Sequence, residues 1–166
     1  MMPIILNDIS NGKVFPLLII NCQKKYLTLF YYNEKNDSIL HTKDHLVSFK
    51  DDSELRSFCV ENDLSLEGDT CTFNFDTPNE NPVNYRDALD KWNLLNTIST
   101  IFTMFFEGNS KRYDALYDFL FCCSTSAEKI PDTIFLNEEF NAQLTRVFRR
   151  KNRLIDRFIY LEECDY

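Results

Sequence analysis

Two histidines, His41 and His45, stand four residues apart, and H-x-x-x-H on one helical face would offer two imidazoles to a metal ion. The surrounding SILHTKDHLVSF alternates as a hairpin does, and no third ligand follows at a metal-site spacing. The pair is therefore expected in a strand and turn, with no metal. Either histidine could meet one of the six cysteines to make a nucleophile and base. Most of those cysteines, however, fall at apolar-face positions, where a free thiol behaves as a small buried hydrophobe. The vicinal Cys122-Cys123 reads as core plus edge. Asp51-Asp52, Glu138-Glu139 and Glu162-Glu163 suit helix starts and solvation better than acid–base work, which needs one carboxyl desolvated. Gly12, Gly68 and Gly108 are too few and too scattered for a phosphate-binding loop. The expectation is a non-enzymatic chain with no cofactor.

Charge supplies two further candidates. The formal net charge is −8, yet residues 146–157, RVFRRKNRLIDR, carry six basic side chains and one acidic. An acidic body repels nucleic-acid backbones and steers basic partners towards itself, so nucleic acid is disfavoured except at that one segment. The segment reads either as a solvated helix face, its arginine stems covering apolar surface, or as a docking face for an acidic patch on a protein, which would make the chain a cytoplasmic adaptor or regulatory interaction domain. Arg146, Arg149, Arg150 and Arg153 would then be the contact residues. The second candidate is the group Asp76, Glu80, Asp87 and Asp90, four acids around a strand-to-helix connection, where binding surfaces tend to be placed on a rigid scaffold. Ordinary capping plus solubility is the slightly favoured explanation of the four.

The elements that must position these residues follow from periodicity. Val14 to Ile20, Tyr26 to Tyr32, Ser38 to Thr42 and His45 to Phe49 are expected as an antiparallel meander, with Asn33 to Asp37 as a turn. Asp51 and Glu54 form a capping-box pattern for a helix on which Leu55, Phe58 and Cys59 share a face. Thr70 to Asp76 alternates again and would extend the sheet. From Asn84 the period is helical. Tyr85, Ala88, Leu89, Trp92, Leu95 and Phe102 make one stripe and Leu94, Ile98, Ile101 and Phe105 a second, so this helix is expected to be central, ended by Gly108-Asn109. Ser110 would cap a second helix through Cys123 with Phe121 on its buried side. Asn137 would cap a long third helix that keeps its period to Phe158 and turns the arginines outward.

A strand containing Phe75-Asp76, a short polar connection, then the helix LDKWNLLNTI from Leu89 resembles small immunity proteins of bacterial polymorphic toxin and contact-dependent growth inhibition systems. The resemblance implies a cytoplasmic protein that binds a cognate toxin domain, here a basic one, and blocks its active site or substrate channel. It brings no catalytic or metal motif and does not account for the basic segment.

The expected architecture is a single α+β domain over residues 1–166, an antiparallel sheet of about five strands from the N-terminal half packed on about three helices from the C-terminal half. Six cysteines without a C-x-x-C, and the lack of a basic-then-apolar leader before residue 20, predict reduced thiols and a cytoplasmic location. The charge-free run from Trp92 to Phe106 is shorter than the ~20 apolar residues of a membrane span, so a buried helix and no membrane segment are expected.

Overall fold

The computed structural model describes residues 3–77, 80–128 and 130–164. Pro78 and Asn79 of the expected polar connection, and Lys129 in the loop after Cys123, lie outside them. The chain divides into two compact units, one formed by residues 1–76 with 155–166 and the other by residues 77–154. The fold is α+β, as the periodicity predicts.

In the first unit, β1 (Lys13–Asn21) and β2 (Lys24–Tyr32) form an antiparallel hairpin in which Phe15 faces Phe30 and Asn21 faces Lys24. β3 (Asp37–Ile39) adds antiparallel to β2, and β4 (Leu46–Ser48) follows. The helix α1 (Asp52–Glu61) starts as its capping pattern predicts, with Glu54 N–H donating to Asp51 Oδ1 at 2.9 Å and Lys50 N–H to the Glu54 carboxylate at 3.3 Å. After it, β5 (Ser65–Leu66) pairs with the start of β1 and β6 (Cys71–Asn74) with its later part.

Both of those pairings are parallel, so the five-stranded sheet is mixed, not antiparallel as expected. The physical reason is the α1 crossover: a strand that returns through a helix can run beside β1 in the same direction, which a hairpin cannot do. β4 also departs from the expected meander. It leaves the sheet to pair in parallel with β9 (Phe158–Tyr160), and isolated bridges such as Leu27–Phe49, with the Thr28 hydroxyl donating to Val47 C=O at 2.7 Å, tie it back. Beneath the sheet, Val14, Leu29, Tyr31, Val47, Leu55 and Phe58 form the core of this unit.

The β1–β2 turn holds an unfavourable conformation. Its two residues, Cys22 and Gln23, have φ of 51° and 64°. That double left-handed geometry matches the twist of a two-residue hairpin but is normally taken by Asn-Gly or Gly-Gly, because a Cβ is crowded there. Asp76, just beyond β6, compensates: its Oδ1 accepts from Cys22 N–H at 2.7 Å and its Oδ2 from Gln23 N–H at 2.8 Å. Asn74 Oδ1 in turn accepts from Asp76 N–H at 2.9 Å.

In the second unit, β7 (Val83–Asn84) leads into α2 (Tyr85–Phe102), where Asn84 Oδ1 accepts from Asp87 N–H at 3.0 Å. α3 (Asp114–Thr125) packs on α2, and β8 (Thr133–Ile134) pairs antiparallel with β7. α4 (Glu138–Phe148) is capped as expected by Asn137, whose Oδ1 accepts from Phe140 N–H at 2.7 Å. The short α5 (Lys151–Ile155) carries the chain back to the first unit. Trp92, Leu95, Ile98, Tyr113, Leu116 and Leu144 are buried here, and the Trp92 ring meets Tyr117 edge-on at 5.3 Å.

Three expectations for this unit are corrected. α2 stops at Phe102, well before Gly108: Thr103 takes a left-handed φ of 52° and Met104 N–H donates back to Ser99 C=O at 2.8 Å. This is a helix-terminating turn built on a threonine where glycine is usual. α3 begins at Asp114 after a separate 3-10 turn over Lys111–Tyr113, with no side-chain cap from Ser110, and Phe121 is exposed. The long basic helix is interrupted at Arg149-Arg150, and its expected end, Phe158, belongs to β9. Residues 149–153, RRKNR, carry no apolar side chain to hold the helix straight across this point, and it resumes only as the short α5, which ends on Leu154 and Ile155. Arginines three and four residues apart also repel on a helix, and pairing with β4 supplies the next apolar residues with another partner.

Two substitutions test these constraints. Asp76→Ala should cost about 1–3 kcal/mol, since two hydrogen bonds to a charged acceptor are lost, and placing Asn-Gly at positions 22 and 23 should recover most of it in urea unfolding. At Gly108 a Cβ would stand 2.6 Å from the Phe106 ring and 2.6 Å from Trp92 Nε1. Gly108→Ala should therefore cost about 1–3 kcal/mol through overpacking, read as an earlier thermal transition with loss of near-ultraviolet tryptophan dichroism.

Candidate functional site

The exit from α2 decides which side chains face outward in the second unit. Because the helix ends at Thr103, the chain turns, and Phe105, expected on a buried stripe, is 70% exposed while the adjacent Phe106 is buried. The next residues, Glu107–Asn109, form a 3-10 turn that packs against α4. Gly108 permits this approach, as its backbone lies against the Trp92 indole.

Around this turn the structure gathers the arginines singled out in the sequence. Arg146 and Arg149, together with Arg112, line a groove of about 410 Å³ with Phe105, Glu107 and Tyr113. Arg150 and Arg153 line a second, much narrower cleft that also has Phe105 and Glu107 in its wall. The four arginines expected to act from one helix face thus lie on either side of one exposed ring, two on each side of the break in the helix. Arg112, from the start of the α3 region, is a fifth that the sequence reading missed. Its only signal was a Lys-Arg pair before the helix.

Glu107 organises the wider groove. Arg149 Nη2 lies 2.9 Å from its Oε1, and Tyr113 O–H donates to its Oε2 at 3.2 Å. Arg112, Arg146, Arg150 and Arg153 have no ion-pair partner among the described residues. A surface with five guanidiniums and one carboxylate, on a chain of net charge −8, is a local reversal of sign. Arg146 also lies in the last turn of α4, where the helix dipole favours a cation.

The four acids are placed differently. Asp76 belongs to the first unit and both of its oxygens are engaged by the β1–β2 turn, while the other three belong to the second unit. Asp87 lies 2.7 Å from Lys91 Nζ, a lysine whose side chain is only 5% exposed, so its charge compensates a buried cation. Glu80 and Asp90 are exposed. Partial burial, with Asp87 nearby, pushes the Asp90 carboxyl up from the ordinary aspartate range, and Arg86 opposes the shift.

The His41 ring is buried with Nδ1 2.7 Å from Ile39 C=O, and His45 is exposed in the following turn. Cys59 and Cys164 are buried, whereas Cys22, Cys71 and Cys122 are exposed and Cys123 is half-buried. Fewer thiols are in the core than alternation suggested. No three His, Cys, Asp or Glu side chains are grouped as a metal site among the described residues, and no described helix is long and apolar enough to cross a membrane.

No protein-family model matches the chain, and no curated protein does. Among solved structures it is similar to the C-terminal domain of SatS, crystallised in complex with bromine, with a TM-score of 0.58 and 11% identity over 90% of this chain and 94% of that one. At that identity the likeness is one of fold and carries no site residue across.

Proposed function

We propose that this chain is a protein-binding domain without enzymatic activity of its own, and that it docks its partner on the arginine surface around Phe105. The observation that carries the reading is the conjunction of a 70% exposed phenylalanine with arginines from three segments of the second unit. Aromatic and arginine side chains are the types most often responsible for binding energy at protein interfaces. Three of the side chains weighed as nucleophile or base have structural surroundings, His41 against a backbone carbonyl and Cys59 and Cys164 in the core.

The resemblance around Phe75-Asp76 and Leu89 to Leu95 supports a specific form of this role, a cytoplasmic immunity protein that covers the active site or substrate channel of a cognate bacterial toxin domain. Within that form a second contact set stays open, because Glu80 and Asp90 are exposed acids that would suit a basic toxin. Asp76 and Asp87 fit that role less well, since the hairpin turn and Lys91 hold them. The outward arginines favour an acidic face on the partner.

Co-expression with the toxic domain encoded immediately upstream, scored by growth and co-purification, tests both. Arg146→Glu with Arg150→Glu should weaken the complex at least about tenfold, and Glu80→Lys with Asp90→Lys should leave it within about threefold. The reverse ranking would move the contact to the acids. Survival without physical association, or no rescue despite soluble protein, would remove the immunity form.

A further inference from the structure

Glu107 is a carboxylate set inside a basic groove. Its side chain is 14% exposed, held at one oxygen by Arg149 and at the other by the Tyr113 hydroxyl. Arg149 is 57% exposed, and an ion pair so open to water contributes little to stability. Its consequence is local: Glu107 fixes one guanidinium against the groove wall and cancels one of three positive charges there, leaving those of Arg112 and Arg146 unmatched.

Resting on the docking role proposed above, we propose that Glu107 is an internal stand-in for a partner carboxylate, and that the groove takes an acidic protein segment bearing one apolar side chain. In the free chain Glu107 occupies Arg149. In the complex a carboxylate of the partner competes for that guanidinium and gains Arg146 and Arg112 as well, since planar guanidinium groups match carboxylates two hydrogen bonds at a time. The apolar side chain packs on Phe105, which otherwise leaves its ring in water.

Glu107 lowers the affinity for every anion that enters, so a weakly charged segment does not displace it and a strongly acidic one does. Specificity then comes from a repulsive element as well as attractive ones. A protein segment suits the groove better than a nucleic acid. A carboxylate among the arginines faces any phosphate chain laid there, only one exposed ring is offered where stacking needs a series, and the chain as a whole is acidic.

Fluorescence anisotropy tests this with a labelled short peptide of Glu and Asp around one central Leu. The same peptide with Ser for Leu and a single-stranded oligodeoxynucleotide of equal charge are the comparison probes. At low ionic strength the Leu peptide should bind the native chain, Glu107→Gln should tighten it about threefold or more, and Phe105→Ala should abolish the preference for Leu over Ser. Tyr113→Phe, which releases one oxygen of Glu107, should shift binding the same way by less and guards against a folding defect in Glu107→Gln. If Arg146→Glu abolishes binding while neither Glu107→Gln nor Tyr113→Phe tightens it, the stand-in role is overturned and the docking surface stands. Indifference to Arg146→Glu, no binding of the Leu peptide, or tighter binding of the oligonucleotide would overturn the docking surface itself.

Discussion

At Gly108 the backbone lies against the indole of Trp92 and the ring of Phe106, with no room for a side chain between them. The arrangement of Phe105 and Glu107 among the arginines of the candidate surface depends on this approach. It seats the Glu107–Asn109 turn against α4 and so brings Glu107 to Arg149, which comes from the far end of that helix. The same turn buries Phe106 and leaves Phe105 outside. A left-handed Thr103 makes it possible by ending α2 at Phe102, and the buried Trp92 stripe supplies the wall against which it packs. The surface is thus a consequence of core packing rather than a loop decorated with charge.

The first unit shows a comparable dependence on a single side chain. Asp76 reads in sequence as one of four acids near a connection, hence as a contact residue. In the structure it holds the amides of a two-residue turn whose conformation neither Cys22 nor Gln23 favours. The turn sets the β1–β2 register, and β1 is the strand on which β2, β5 and β6 all pair. A carboxylate fifty-four residues from the amide it holds is a tertiary device for fixing a local conformation. Asp87 is similarly committed, to a lysine buried on α2.

Opposed charges also divide the roles of the two candidate contact sets. The acidic excess is spread over the chain, whereas the basic excess is concentrated where α4 gives way to α5 and meets the Phe105 turn. Spread charge steers encounters and keeps a protein soluble; concentrated charge beside an exposed ring can define an orientation. Glu107 limits that concentration from within.

Periodicity and capping residues alone determined the α+β class, β1, β2 and β6 closely, and the starts of α1, α2 and α4 at Asp51, Asn84 and Asn137, because those signals lie within a few residues of one another. They also placed Trp92 in a core. The tertiary structure decided everything that rests on contacts distant in sequence: the parallel return of β5 and β6 to β1, the capture of β4 by β9, the break in the basic helix, and the commitment of Asp76 and Asp87. It decided the candidate surface as well. The arginines were legible as a charge run, but the exposure of Phe105 was not, since helical period predicts burial for as long as the helix lasts and only the packing of Gly108 on Trp92 shows where the chain leaves it.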